Sequence, residues 1–552
     1  MQNQPDSEVL IYDTTLRDGI QRHGIACTLE DKIKILQRLS QLGIPFIEAG
    51  WPGANDVDTE LFEYLKKAPL SKSLAESQVV AFGSTRRPHQ KAPENPTLKA
   101  LLNAETQWIT LFGKSWDLQV TDALRASLGE NLAMIQDSVE YLRANGRHII
   151  YDAEHWFDGY KANPEYALET LNAAVLGGAE WLVLCDTNGG TLPKHIEAIT
   201  AQVKSWLHTH HSDLATFPKL GIHTHNDSGT AVASSLSAVD AGASMVHGTI
   251  NGYGERCGNA DLCSVIPDLQ LKMGYDCLPQ ERLKTLTETS RYVSEIVNLA
   301  ADDHAPYVGR SAFAHKGGIH ISAVERNPKT YEHIDPTEIG NHRHIVVSSS
   351  SGSSTVLAKA KHYGIGLKKD DPAMREIINT VKTLESKGYQ FEAAEASFET
   401  LMLKALGKHT PYFQLRGFEV TYDVLQSDVQ CNIGARATIK ATVRGEDVLE
   451  VAECMGPVSA LDKALRKALI RFYPVVESFY LTDYKVRILN SEAGTAAKVR
   501  VLVESSNGEQ RWSTIGVSVN ILEASYQAVA AGIEYGLYQA AKSERKQATA
   551  VS

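Results

Sequence analysis

The chain has 552 residues, of which 43% are hydrophobic and 22% are charged, and it carries a formal net charge of −11. This length predicts two or three domains, and the acidic balance without a long basic run argues against nucleic-acid binding. The sequence contains no run of about 20 apolar residues, so we expect no membrane helix. The seven cysteines form no Cys-x-x-Cys pair and "MQNQPDSEVL" has no signal-peptide pattern, so we expect a cytoplasmic protein in a reducing compartment.

Short apolar runs rich in β-branched residues recur through the first half of the chain, each followed by a helical pattern. In chain order they are residues 9–15, 44–50, 79–85, 108–113, 148–154, 181–187, 220–226 and 245–251. Near-continuous apolar strands that alternate with helices indicate a parallel sheet covered by helices. Eight such units in about 250 residues predict an α/β fold of the (β/α)8 TIM-barrel type. A doubly wound sheet is the alternative, but no G-x-G-x-x-G follows the first run.

Polar residues cluster where these predicted strands end. The clusters are Asp13 to Asp18, Glu48, Ser84, Asp152 with Glu154, Asp186 with Thr187, His223 to Asp227, and Asn251. In a TIM barrel the C-terminal ends of the strands carry the active site, so these groups are expected to meet at one mouth.

The histidines of "GIHTHNDSGT" are the first candidates for chemistry. His223 and His225 lie two residues apart, so on a strand both side chains point to the same face. The spacing alone proves little, because His342 and His344 repeat it. Together with Asp18, however, the pair forms one carboxylate and two imidazoles, a set suited to a divalent ion with open positions.

Two neighbouring segments add groups to this candidate site. Arg17 supplies a cationic fork for a carboxylate or a developing oxyanion, although an Arg-Asp neighbour pair is more often a surface ion pair. Asn259 lies in the glycine-rich segment "NGYGERCGNADL" and offers a carbonyl oxygen to the ion.

The second half of the chain changes character. Residues 302–355 are histidine-rich and poorly periodic, residues 356–408 predict helices, and from Phe413 a pattern of three strands and a helix occurs twice. We therefore predict a barrel at 1–290, mostly helical linker subdomains at 291–408 and a duplicated βββα domain at 409–552. A dimerisation role and a regulatory role are both open for this last domain.

Three motifs in this order resemble one family. "DTTLRDG" (13–19), "HTHND" (223–227) and "GYGERCGNA" (252–260) are similar to those of the metal-dependent acyl-CoA condensing enzymes of the 2-isopropylmalate synthase family, which includes homocitrate and citramalate synthases. The resemblance covers nearly the whole chain. "FIEAGWPGAND" (46–56) and "YDAEHWFDGYK" (151–161) are most similar to the citramalate branch of that family.

The resemblance implies a role for each matching residue. It implies a divalent metal (Mg, Mn or Zn) bound by Asp18, His223, His225 and Asn259. It implies that Arg17 contacts the keto-acid carbonyl and Thr187 its carboxylate, and that Glu154 lies near the reacting carbons. It implies that His320 comes from the linker, in the family often from the partner subunit, with Tyr331 as its companion. Ile20 departs from the polar residue common in the family, which bears on pocket shape.

The resemblance also implies an activity. The expected substrates are acetyl-CoA and pyruvate, condensed to citramalate in isoleucine biosynthesis, with Glu154 or His320 as the base. Trp156 and Phe157 either restrict the pocket or pack in the core. A homodimer and an amino-acid feedback inhibitor, isoleucine or leucine, are expected. The alternatives are 2-isopropylmalate or homocitrate synthesis, a metal-dependent aldolase or lyase on the same barrel, and a non-catalytic metal or carboxylate sensor.

Overall fold

The computed structural model describes residues 8–67, 77–214, 217–347, 352–424, 433–508 and 510–551. The chain divides into two compact units. One consists of Met1–Phe313 and Ile334–Arg343, and the other of Ala314–His333 and His344–Ser552. Among the described residues, no helix has the length and apolar character needed to cross a membrane.

The first unit is built around a closed barrel of eight parallel strands, in which the first strand also pairs with the last. The strands are β1 Leu10–Asp13, β2 Phe46–Gly50, β3 Gln78–Ser84, β4 Trp108–Lys114, β5 His148–Glu154, β6 Trp181–Asp186, β7 Lys219–Thr224 and β8 Met245–Gly248. Each predicted apolar run overlaps one of these strands. The predicted TIM barrel is therefore confirmed, and the doubly wound sheet is excluded.

Helices cover the outside of the barrel. They are α1 Leu29–Leu42, α2 Asp56–Lys67, α3 Pro96–Asn103, α4 Leu128–Ala144, α5 Trp156–Ala162, α6 Pro164–Gly177, α7 Pro193–His211, α8 Ala231–Asp240, α9 Leu262–Pro267, α10 Gln280–Leu283 and α11 Leu286–Ile296. The first shows why such helices begin and end where they do. Thr28 and Asp31 cap α1 reciprocally, and Gly43 ends it at a φ of 94°, a left-handed conformation that glycine adopts without strain.

Alternation along the strands divides the apolar residues between two cores. Tyr12, Val80, Ile150 and Met245, from strands around the whole ring, pack together with other residues inside the barrel. Their chain neighbours belong to a larger cluster between strands and helices. Because successive side chains point to opposite faces, the last inward-facing residues of each strand are the ones that line the mouth.

The second unit contains the predicted duplication. After the short strands β9 Ala314–His315 and β10 His344–Ile345 and the helices α12 Gly318–Arg326, α13 Ser353–Tyr363, α14 Pro372–Ser386 and α15 Glu395–Ala405, the chain forms two βββα copies. The first copy is β11 Phe413–Val424, β12 Ile433–Val443, β13 Glu446–Cys454 and α16 Pro457–Ile470. The second is β14 Tyr480–Ile488, β15 Val499–Ser506, β16 Arg511–Ser518 and α17 Ile521–Val551.

Each copy forms an antiparallel three-stranded sheet, so the predicted internal repeat is confirmed. The domain boundaries expected at residues 290 and 408 do not coincide with the division between the two units and stay a prediction.

Candidate active site

A tight turn after β1 presents Arg17 and Asp18 at the barrel mouth. The carbonyl of Thr14 accepts hydrogen bonds from the backbone N–H groups of both residues, at 3.2 and 2.9 Å. The Asp13 carboxylate braces the start of the turn by accepting from the backbone and hydroxyl of Thr15. The local sequence "DTT" thus supplies the hydrogen bonds that turn the chain over the strand ends.

The three predicted metal-binding side chains come together. Asp18 Oδ2 lies 3.4 Å from His223 Nε2 and 3.7 Å from His225 Nε2, and the two ring nitrogens are 3.2 Å apart. All three side chains are buried. One carboxylate oxygen and two imidazole nitrogens therefore face one small volume.

Protonation states favour a cation in that volume. Burial lowers the pKa of His225 to about 4, so its imidazole is neutral at pH 7 and presents a lone pair. Burial raises the pKa of Asp18, but Arg17 and the hydrogen bond with His223 outweigh burial and hold that pKa well below its usual range. An ionised carboxylate beside a neutral imidazole is the donor set that a divalent ion needs, so the residues present fit one.

Asn259 is held next to these groups by the glycine-rich loop. His225 and Asn259 form an isolated antiparallel bridge, and the Asn259 amide nitrogen donates to the carbonyl of Tyr253 at 3.1 Å. The side-chain carbonyl oxygen of Asn259 is buried and has no hydrogen-bond partner among the described residues, as expected of an atom that binds a ligand. Glycine is needed at two positions of this loop. A Cβ at Gly254 would lie 2.2 Å from the side-chain amide nitrogen of Asn259, and a Cβ at Gly258 would lie 1.9 Å from the carbonyl oxygen of Gly252.

Arg17 is fixed by a glutamate that was not among the predicted site residues. Its Nε donates to Glu48 Oε1 at 2.5 Å, and its guanidinium lies 3.8 Å from the centre of the Phe82 ring. Glu48 is fully buried and also accepts hydrogen bonds from Tyr12 at 2.7 Å and Thr14 at 2.5 Å. The signal in the sequence was a lone carboxylate inside the apolar run "FIEAG", since a buried carboxylate requires partners.

Glu154 is the last residue of β5, and Thr187 directly follows β6. Glu154 forms an ion pair with Lys114 at the end of β4, a partner that the sequence did not indicate. The Thr187 hydroxyl accepts from the backbone N–H of His155 at 2.8 Å. Arg256 donates to the Thr187 carbonyl at 2.8 Å.

Arg256 makes a second contact that the sequence did not indicate. It pairs with Asp227 through two hydrogen bonds of 2.8 and 3.0 Å. It also forms an ion pair with the adjacent Glu255, at 3.1 Å.

His320 and Tyr331 belong to the second unit and form an exposed pair there. Their ring centres are 4.3 Å apart, with His320 on α12 and Tyr331 shortly after it. The role expected of this pair in the reaction stays a prediction. Asp18, His223, His225, Asn259, Arg17, Thr187 and Glu154 all belong to the first unit.

Comparison with known proteins identifies the family. Family models described as HMGL-like, homocitrate synthase post-HMGL domain-like and LeuA allosteric (dimerisation) domain match residues 8–293, 307–389 and 392–537. Proteins named (R)-citramalate synthase are 63% identical over 529 residues in a Synechocystis species (96% of each chain) and 51% identical over 530 residues in Aquifex aeolicus (96% of this chain, 98% of that one). A third, from Geobacter sulfurreducens, is 50% identical over 538 residues (98% and 99%).

The chain belongs to the citramalate synthase family. The predicted family is confirmed.

In this member of the citramalate synthase family, an aromatic wall borders Arg17. Trp51, Phe82 and Phe112 contact one another with ring centres 5.3 to 5.7 Å apart, at the ends of β2, β3 and β4. Trp156 and Phe157 are instead fully buried in the cluster between strands and helices, which supports the core-packing alternative for them. The wall was missed because three separate strands bring its members together.

A deeper polar layer lies next to His223. Asp152 and His247 form with it a second group whose candidate ligand atoms all lie within 4.8 Å of one another. His247 stacks on Tyr12 with ring centres 3.8 Å apart, and neither of its ring nitrogens has a partner among the described residues. Burial raises the pKa of Asp152 to about 7. Sequence reasoning placed Asp152 at a strand end but gave neither residue a role.

Proposed function

We propose that this enzyme, a transferase, condenses acetyl-CoA with pyruvate and hydrolyses the resulting thioester to citramalate and CoA. The observation that carries the proposal is the convergence of Asp18, His223 and His225 beside Arg17, at the barrel mouth of a chain with full-length similarity to (R)-citramalate synthases. A sensor would need only the ligands, whereas this mouth also holds Glu154 and Thr187.

Asp18, His223, His225 and Asn259 would hold a divalent ion, for which Mg, Mn and Zn are the candidates. When bound, such an ion supplies Lewis-acid polarisation of a keto-acid ketone. The buried side-chain oxygen of Asn259, which has no hydrogen-bond partner in the part of the chain that the structure describes, and the neutral His225 support this assignment.

Arg17 and Thr187 would orient the keto acid. The Arg17 guanidinium is held by Glu48 on one side and by Asp18 at 3.3 Å on another, so its charge is fixed in place before any substrate binds. A preorganised cation beside a ketone oxygen stabilises the negative charge that develops there. The Thr187 hydroxyl has a proton left to donate to the substrate carboxylate, because its oxygen accepts the His155 bond.

The reaction requires a base for the methyl group of acetyl-CoA. Glu154, paired with Lys114, and His320, stacked on Tyr331, are the two candidates. The base takes a methyl proton, the enolate carbon forms a bond to the ketone carbon of pyruvate, and the π electrons of the ketone move to its oxygen, which takes up a proton to become the hydroxyl group. Water then adds to the thioester carbon, the C–S bond breaks, the water oxygen stays in the new carboxylate, and CoA leaves as the thiol.

The aromatic wall supports pyruvate as the keto acid. Phe82 lies against the Arg17 guanidinium, and Trp51 and Phe112 contact Phe82, so their bulk would limit the space available to the side chain of a keto acid bound there. A methyl group fits a small pocket, whereas an isopropyl group meets steric clash, a stronger discriminator than the 1–3 kcal/mol or so gained from one methylene in a roomy site.

Release of CoA thiol with a panel of keto acids tests the proposal. We expect kcat/KM to be higher for pyruvate than for 2-oxoisovalerate or 2-oxoglutarate. A higher value for 2-oxoisovalerate would move the enzyme to 2-isopropylmalate synthesis, and cleavage of a hydroxy acid without any acyl-CoA would indicate an aldolase.

The duplicated domain is proposed to bind a branched-chain amino acid, isoleucine or leucine, as a feedback inhibitor in isoleucine biosynthesis. The match of residues 392–537 to a LeuA allosteric (dimerisation) domain supports this role. Apolar side chains exposed on the sheets, such as Leu449, Tyr480 and Ile488, support a homodimer.

Cytoplasmic location is also part of the proposal. It is supported by the cysteines among the described residues, all of which are free thiols.

A further inference from the structure

A buried ion pair lies behind the segments that carry Arg17 and Glu48. Lys32 on α1 and Asp58 on α2 form this pair, and their side chains are only 1% and 5% exposed. A buried ion pair is often no more stabilising than a pair of apolar side chains of similar volume, because desolvation offsets the attraction. The contacts of the pair therefore bear on why charged residues occupy these positions.

The Lys32 ammonium bonds to the backbone on both sides of the Arg17–Glu48 pair. It donates to the carbonyl of Leu16 at 2.9 Å and lies 3.5 Å from the carbonyl of Ala49. Leu16 directly precedes Arg17, and Ala49 directly follows Glu48. One ammonium group thus ties together the two chain segments whose side chains must meet at the mouth.

Asp58 contacts the backbone at the end of β2, next to the segment that Lys32 contacts. The pairing of β2 with β3 shifts register between Glu48 and Gly50, so the backbone there departs from regular sheet geometry. Asp58 Oδ2 accepts from the backbone N–H of Trp51 at 2.9 Å, just past this irregularity. Gly50 has a φ of 154°, and a Cβ there would lie 2.6 Å from the Asp58 carboxyl carbon. The irregular strand end and the carboxylate are therefore fitted to each other.

We propose that Lys32 and Asp58 are positioning residues that set the distance and orientation of the Arg17 guanidinium through the backbone of Leu16 and Ala49. The pair touches no reacting group and acts through Arg17 and Glu48. The inference rests on the proposed function, in which Arg17 stabilises charge on the keto acid. A small displacement of such a group lowers the rate strongly, by up to about 100-fold for roughly 1 Å.

Kinetics of Lys32→Met and Asp58→Asn enzymes, assayed with the keto acid that the wild-type enzyme uses best, test the proposal. We expect kcat to fall about 10- to 100-fold while KM for acetyl-CoA stays within about threefold. Lys359→Met is the matched control, because Lys359 is a buried lysine paired with Glu395 at 2.7 Å in the second unit. It should lower Tm with little change in kcat.

Coupling separates positioning from a general loss of stability. In an Arg17→Ala background, Lys32→Met should lower kcat by less than about threefold, since the group that it positions is already gone. A loss as large as in the wild-type background would overturn the proposal. So would an unchanged kcat in the folded single variants, or an equal loss in the Lys359→Met control.

A second variant covers the case in which Lys32→Met does not fold. Lys32→Met leaves Asp58 as an unpaired buried charge, so the neutral double variant Lys32→Met/Asp58→Leu replaces it if the single variant does not fold.

A crystal structure of the folded variant gives a readout independent of the reaction. We expect the 2.5 Å contact between Arg17 Nε and Glu48 Oε1 to widen beyond hydrogen-bond reach. An unchanged contact refutes the positioning role even if the wild-type enzyme condenses no keto acid, whereas an inactive wild-type enzyme alone refutes the proposed function.

Discussion

At the scale of single residues, the proposed chemistry of the mouth depends on the pairing of Arg17 with Glu48. Glu48 is fully buried and bonded to Tyr12, Thr14 and Arg17, so it cannot turn towards a substrate. Its contribution is to hold the arginine, whose burial would be costly without an ionised partner.

The first prediction concerns this pair. Glu48→Gln keeps the shape of the side chain but removes its charge, which leaves Arg17 less firmly held. We expect kcat to fall about 10- to 100-fold in this variant. We expect Arg17→Ala to lower kcat by about 100- to 1000-fold, because the group proposed to stabilise the oxyanion is lost. Steady-state assays of CoA release check this, with bound metal measured as a control. A Glu48→Gln enzyme with full kcat would show that the pair is only structural.

The second prediction concerns proton transfer. Glu154→Gln removes one proposed proton-transfer group, a carboxylate, and His320→Ala removes the other, an imidazole. We expect each variant to lower kcat by roughly 10²- to 10⁴-fold, the usual cost of losing general acid–base catalysis. Lys114→Met should also lower kcat, because Lys114 is the ion-pair partner of Glu154. Exchange of the methyl protons of acetyl-CoA with deuterated water identifies the base. The variant in which the exchange is lost is the one that lacks the base, and a variant that retains rapid exchange still contains it.

At the scale of strands and loops, the features that could be predicted from the sequence are those that depend on periodicity: the positions of the strands and the faces on which their side chains lie. Apolar runs located all eight barrel strands, and two-residue spacing placed His223 and His225 on one face. The partners of these residues depend on register and on packing between distant strands. Lys114 meets Glu154 only because β4 and β5 pair at these positions, and Trp51, Phe82 and Phe112 meet across three strand ends. No spacing along the chain encodes such contacts.

The third prediction concerns the glycine-rich loop. Ala at Gly258 would place Cβ 1.9 Å from the Gly252 carbonyl oxygen, so the loop must shift and carry Asn259 with it. We expect weaker metal binding and lower kcat, measured by titration of metal-stripped enzyme. Gly274→Ala is the control, since Gly274 has a similar φ of 81° but no atom within 4 Å of the added Cβ. The control should cost about 1–2 kcal/mol of stability through backbone strain alone. Equal metal affinity in the two variants would contradict the account.

At the scale of the whole molecule, the chain joins a catalytic barrel to a domain built from two βββα copies. The fourth prediction is that truncation near Lys408 yields an enzyme whose residual activity no longer responds to isoleucine or leucine. Inhibition requires a second site with different affinity for two states of the enzyme, and the truncation removes that site. Inhibition curves of the full-length and truncated enzymes check this. If the full-length enzyme responds to neither amino acid, dimerisation is the remaining role of the domain.

The central claim is that one divalent ion, held by Asp18, His223 and His225, is required for joining acetyl-CoA to pyruvate. The most direct test is citramalate formation by metal-stripped enzyme as Mg, Mn or Zn is added back, followed by mass spectrometry. We predict that citramalate appears only on metal addition and saturates near one ion per chain. Asp18→Ala and His223→Ala enzymes should form none and bind less metal. Full citramalate formation by the metal-stripped enzyme, or by a folded Asp18→Ala variant, would contradict the account.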